Sequence, residues 1–133
     1  MRPITRDLLL CHCCHTGNPN PLLIDGLNFM QQILQAELMI ASGYRCQKNN
    51  AAVGGAPHSE HLTGDAADIK AQGTSPLELY LAAEEYPPFN SGGIGLYPAD
   101  YIHVDTRPAR ARWFRVAGHD YPITDYLTHA HAT

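Results

Sequence analysis

The sequence predicts an α+β fold, a small antiparallel β-sheet with helices packed to one side. Three observations lead there. Apolar residues recur at helical spacing over residues 22–36. Short runs suited to strands fall at 38–41, 66–69, 92–97 and 101–105. A second helix start, Ser75-Pro76-Leu77-Glu78, stands between them.

The elements follow in order. Gly17-Asn18-Pro19-Asn20-Pro21 is a loop by composition. Leu23, Leu27, Met30, Ile33 and Leu34 then give a helix one face turned to a core. Leu38-Met39-Ile40-Ala41 is a strand, stopped by Ser42-Gly43. Residues 44–57, with Asn49-Asn50 and Gly54-Gly55, read as irregular, and 66–69 as a short strand. The second helix has Ser at its cap, Pro first and Glu third. It is expected to run to about Tyr86 and end at Pro87-Pro88. Residues 92–97 and 101–105 form a hairpin around a Pro98-Ala99-Asp100 turn. After Arg107, Trp113 and Phe114 are expected to pack on the core. Residues from about 126 to 133 are expected to be disordered, with His129 and His131 solvated.

A length of 133 residues fits one domain over 1–133, led by a Cys/His-rich segment at 1–21. Hydrophobic content of 44% and charged content of 17% suit a soluble globular chain. A net charge of −4 without any Lys/Arg block argues against a nucleic-acid partner. No apolar run is long enough to span a membrane. Leu8-Leu9-Leu10 is too short for a secretory signal and runs into Cys-His-Cys-Cys rather than a cleavage site. The chain is therefore expected to stay in the cytoplasm unless exported or released, and to be a monomer.

Cysteine usage leaves three readings open. Cys11-His12-Cys13-Cys14-His15 forms a cluster and Cys46 stands apart. Cys11 and Cys14 loosely meet a metal-knuckle spacing, whereas adjacent Cys13 and Cys14 are not expected to reach one ion together. Reduced, partly buried thiols are the second reading. A disulfide, for example to Cys46, is the third.

The chemistry concentrates in Ser59-Glu-His-Leu-Thr-Gly-Asp-Ala-Ala-Asp68 and Asp100-Tyr-Ile-His-Val-Asp105. His61, Asp68 and His103 are candidate ligands. Two imidazoles and one carboxylate suit catalytic zinc, with a fourth position left for water. If Asp68 and His103 face each other on neighbouring strands, their Cβ atoms lie about 5 Å apart, a gap that zinc bonds of about 2 Å can bridge. Gly64 permits the turn that returns His61 over the strand, and Ala66 and Ala67 leave room. Asp100 lies three residues before His103, so it must sit in the turn to face the site. There it could take a proton from water made acidic by the metal. Asp105 shares the face of His103 and either orients it or pairs with Arg107. Arg45 is either a surface cation or a donor to a substrate carbonyl gaining charge, a role typically worth roughly 3–4 kcal/mol in the barrier. His58 reads as a flanking pocket or surface residue rather than a ligand.

These residues carry a resemblance. Ser42-Gly43-Tyr44-Arg45, Asn50, Val53-Gly54-Gly55-Ala56, the spaced set Ser59, His61, Gly64, Ala66 and Asp68, then Gly92-Gly93-Ile94-Gly95 with Tyr97, and His103-Val104-Asp105 together resemble the zinc D-Ala-D-Ala carboxypeptidase family. That family includes D,D-dipeptidases and phage L-Ala-D-Glu endolysins, and shares its fold with the hedgehog signalling domain. The resemblance covers about residues 20–113. It implies a hedgehog/DD-peptidase-like fold and one zinc held by His61, Asp68 and His103. It further implies Asp100 as acid/base, Arg45 on the scissile carbonyl, and Ser59, Tyr97 and Asp105 supporting the site or the substrate. The Cys-rich start loosely resembles that of a short branch found in phages and bacteria.

The implied activity is hydrolysis of amide bonds in peptidoglycan stem peptides or cross-links, at the cell wall or periplasm. The alternatives are a non-catalytic, zinc-containing peptide- or wall-binding module, and a phage structural component that cleaves locally. The bond cut, D-Ala-D-Ala, L-Ala-D-Glu or a cross-bridge, is not readable from the sequence.

Overall fold

Asn20 starts the first helix, its side chain accepting the Leu22 N–H at 2.9 Å. Pro21 takes the first helical position, where a missing N–H costs nothing. The computed structural model describes residues 1–126. In it α1 spans Pro21–Leu34 and buries Leu23, Leu27 and Met30 as expected. Ile33 does not join them and is exposed, because it falls about 80° round the helix from Leu23 at 3.6 residues per turn. Gln31 is buried in that stretch instead, donating to the Arg2 carbonyl at 3.0 Å and accepting the Leu38 N–H at 2.9 Å. The helix stops where Gln35 turns left-handed.

Six strands follow: β1 Met39–Ser42, β2 Ala66–Lys70, β3 Gly93–Tyr97, β4 Tyr101–Asp105, β5 Ala111–Val116 and β6 His119–Tyr121. They form one sheet in the order β1-β2-β4-β3-β5-β6. The architecture is the expected α+β one, a sheet flanked by helices. The sheet is mixed rather than wholly antiparallel, since β3 and β5 run parallel. Residues 106–110 carry the chain across the start of β3, so Ala111 pairs beside Gly93.

The expected hairpin of β3 and β4 is present, with Asp100 N–H closing its turn on the Tyr97 carbonyl at 2.9 Å. Alternation along the strands gives the sheet two faces. One face holds Ala67, Ile69, Ile94, Leu96, Ile102 and Val104 against the helices. The other carries Asp68, His103 and Asp105. Phe114 packs on the core as expected. Trp113 does not; its register partner Gly95 places it on the polar face.

The helix α3, Pro76–Glu84, has the expected capping box between Ser75 and Glu78. It ends two residues early, and Pro87 opens a short α4, Pro87–Asn90, which buries Phe89 beside Tyr86. The stretch expected to be irregular contains α2, Gln47–Ala52, and a 3-10 turn follows at Glu60–Thr63. Ile4 and Leu9 bring the N-terminal segment into the core. Tyr126, expected at the edge of disorder, packs against Phe114 with ring centres 5.4 Å apart. His129 and His131 lie outside the described residues. Among the described residues no helix is long and apolar enough to cross a membrane.

Candidate metal centre

Asp68 on β2 and His103 on β4 are direct register partners on the polar face of the sheet. His61 reaches them from the 3-10 turn. Ser59 caps that turn, its Oγ accepting the His61 N–H at 3.2 Å. Gly64 closes it at φ +80°, where an added Cβ would also lie 2.6 Å from the Asn18 carbonyl. The His61 and His103 ring centres are 5.1 Å apart. One donor atom from each of His61, Asp68 and His103 lies within 4.8 Å of the others, and all three residues are buried.

The remaining ring nitrogens fix which atoms point inward. The Nδ1–H of His61 donates to the Gly43 carbonyl at 2.7 Å, an oxygen that can only accept. The Nε2–H of His103 donates to Asp105 Oδ2 at 2.6 Å. In the neutral rings this leaves His61 Nε2 and His103 Nδ1 as bare lone pairs. Both face the same oxygen, Asp68 Oδ1, at 3.2 and 3.1 Å. Three acceptors aimed at one another repel unless protons or a cation stand between them. The donor set, two imidazoles and a carboxylate, is the one that zinc accepts while keeping a position open.

A supporting layer holds this arrangement. Asp105 is wholly buried and receives N–H donors from Gly93 at 2.8 Å and from the Arg107 backbone at 3.0 Å. The Arg107 guanidinium adds bonds of 2.7 to 3.0 Å. Two glycines of β3 make the room. A Cβ at Gly93 would press on the Asp105 carboxylate and Arg107, and one at Gly95 would overlap the Trp113 ring. The Gly-Gly-Ile-Gly motif is thus a pair of spaces on the polar face. Trp113 uses the second one and lies 5.3 Å from the His103 ring.

Ser42-Gly43-Tyr44-Arg45 has a similar explanation. Gly43 supplies the carbonyl to His61, and the Arg45 N–H donates to the His61 carbonyl at 3.0 Å. The guanidinium donates to Ser42 Oγ, Asn50 Oδ1 and Asp68 Oδ2, the last at 3.0 Å. Arg45 therefore grips the Asp68 oxygen that does not face the two histidines.

Electrostatics follow from the geometry. Burial alone would raise the Asp68 carboxyl; when the two imidazoles carry protons on the nitrogens that face it, the bonds and charge of His103 and His61 outweigh burial and hold the group far below the usual range. Asp105 behaves likewise, with His103 and Arg107 overcoming burial. Burial disfavours charge on His103, yet Asp105 and Asp68 together raise it.

A family model described as Peptidase M15 matches residues 5–105. The chain belongs to the Peptidase M15 family. This is the zinc D-Ala-D-Ala carboxypeptidase-type family, and the match spans His61, Asp68 and His103. Membership supports a metallopeptidase with a peptide substrate. No curated protein matches the chain.

Within this M15 chain the centre lies in a cleft of about 620 Å³. Arg45, His58, Ser59 and Tyr97 line it together with His61, Asp68 and His103. Asp100 does not. Its carboxylate sits in the β3–β4 turn, 60% exposed and 3.6 Å from Lys70 Nζ. The turn position was legible in the sequence, but the side chain lies beside Lys70 at the end of β2 and does not line the cleft. Sequence reasoning missed Glu60, Tyr101, Trp113, Arg115 and Asp120, which also line the cleft. Glu60 could have been found from its place beside His61. The last three could not, because β5 and β6 carry no run of β-branched residues to mark them as strands.

Proposed function

We propose that the protein is a zinc peptidase hydrolysing amide bonds in peptidoglycan stem peptides or cross-links. The observation that carries this is the convergence of His61 Nε2, Asp68 Oδ1 and His103 Nδ1 in an open cleft. A zinc ion held by these three residues supplies Lewis-acid activation of water and of a carbonyl.

The rest is assigned to the chain's own side chains. Arg45 fixes Asp68, and among the described residues three of its five guanidinium N–H groups are bonded within the protein. The other two are available to a substrate carbonyl oxygen as it gains charge. Arg107 and Arg115 line the same cleft, each paired with a carboxylate of the protein, Asp105 and Asp120, and their remaining N–H groups can bond polar groups of a peptide. Trp113, Tyr97 and Tyr101 give it apolar walls. Asp100 accepts the proton of the attacking water and returns it to the leaving amine. To do so it must leave Lys70, which costs little because an exposed pair of this kind contributes about 0–1 kcal/mol.

The pairing of Asp100 with Lys70 is also the one observation that favours a second reading, a non-catalytic peptide- or wall-binding module. Incubating zinc-loaded protein with purified muropeptides, with and without chelator, separates the two. New fragments that disappear with chelator support the peptidase. Bound but intact muropeptides support the module. Asp100→Asn should keep the zinc and lose most turnover. Full turnover in that variant would pass the proton-accepting role to another carboxylate, with Glu60 the next to test.

A further inference from the structure

A second cluster of ligand-type side chains stands apart from the cleft. We propose that Cys11, Cys13, Cys14 and Cys46 bind a second, structural zinc ion that clamps the N-terminal segment to the loop carrying Arg45.

All four sulfurs lie within 4.8 Å of one another. Cys13 Sγ is 3.2 Å from Cys46 Sγ and 3.7 Å from Cys11 Sγ. A tetrahedron with Zn–S bonds of about 2.3 Å has S···S edges of about 3.8 Å. The cluster is therefore near the size that one zinc requires, and all four cysteines are free. Two backbone amides already point at sulfur. The Cys46 N–H donates to Cys11 Sγ and the Asn49 N–H to Cys46 Sγ, both at 3.4 Å. Such bonds strengthen when the acceptor is charged, which suits thiolate ligands.

By sequence alone, adjacent Cys13 and Cys14 are not expected to share an ion. The local chain path removes that objection. The Cys11 N–H bonds the Thr16 carbonyl and the His15 N–H bonds the Cys11 carbonyl, both at 2.8 Å, with His15 left-handed at φ 55°. With this tight reversal the exposed Cys13 and Cys14 both bring their sulfurs within reach of Cys11 and Cys46, with Cys14 Sγ also 3.0 Å from Thr16 Oγ1. On binding, each thiol gives its proton to solvent and no atom changes oxidation state. With four protein ligands the site has no open position, which makes it structural rather than catalytic.

The consequence reaches the first site. Cys46 follows Arg45 directly and caps α2, whose Asn50 holds the guanidinium. The Tyr44 N–H is bonded to the Leu9 carbonyl at 2.8 Å. A metal at the cysteines would fix both ends of the segment that positions Arg45.

The test uses the full chain, purified under reducing conditions and dialysed against zinc. Metal content should be two ions per chain in the wild type and one in His61→Ala, which leaves the cysteines intact. Cobalt loaded in place of zinc should give wild type and His61→Ala alike an intense thiolate-to-cobalt charge-transfer band. Cys14→Ser should bind one ion only. One zinc per wild-type chain with no charge-transfer band would overturn the proposal. So would a Cys13–Cys46 disulfide that persists in the zinc-loaded reduced protein.

Discussion

Asp105 Oδ2 accepts the Nε2–H of His103 at 2.6 Å, two residues further along the same strand. This pair decides which nitrogen of His103 is free for a metal. Asp105→Asn keeps the shape and removes the charge. Zinc affinity is expected to fall about 10- to 100-fold, the usual loss when such a supporting carboxylate is changed. Competition against a chelator of known affinity measures it, and unchanged affinity would remove Asp105 from the account.

Arg107 neutralises the wholly buried Asp105 while keeping 28% of its own side chain exposed. Breaking a buried pair costs about 3–5 kcal/mol, and the partial exposure here places Arg107→Ala at the lower end, about 3 kcal/mol. Urea unfolding of the zinc-free protein checks this. A change within error of zero would mean that water replaces the guanidinium freely.

Trp113 is the sole tryptophan and lies 5.3 Å from the His103 ring. Its fluorescence should therefore change when chelator strips the metal, and the change should vanish in His61→Ala. Gly95→Ala should disturb the same signal and cost about 1–3 kcal/mol by overpacking. An emission spectrum indifferent to both would place Trp113 elsewhere.

Glu84 forms a bond of 2.6 Å with the buried Arg112. Burial alone would raise the Glu84 carboxyl, but Arg112 outweighs it and the group lies below its ordinary value of 4.5. The unfolded chain then binds more protons near that pH, so stability rises with pH there. The contribution is complete above 4.5 and is lost as pH falls through the lower folded value. Glu84→Gln should be less stable at neutral pH, with a shallower loss on acidification below about 4.5. Parallel acid limbs for the two proteins would contradict this.

Much of the centre was legible because its spacing has direct geometric meaning. His61 needs the cap at Ser59 and the left-handed turn at Gly64, and both are residue types that announce themselves. Asp68 and His103 fall on strands whose apolar neighbours alternate with them. The capping box at Ser75 is equally local. What the sequence hid depends on partners far along the chain. Asp100 turns to Lys70, thirty positions away, and no local rule foresees that. The strand β5 has neither a run of β-branched residues nor clean alternation, so Trp113 read as core. The cysteine cluster needed a reversal at residues 11–16 that only the folded backbone reveals.

The most direct measurement is anomalous diffraction at the zinc edge from crystals of the zinc-loaded protein. The account predicts a peak about 2.0–2.2 Å from His61 Nε2, one Asp68 carboxylate oxygen and His103 Nδ1, with Asp105 still on His103 Nε2. No peak among these three side chains, or coordination through the opposite ring nitrogens, would contradict it.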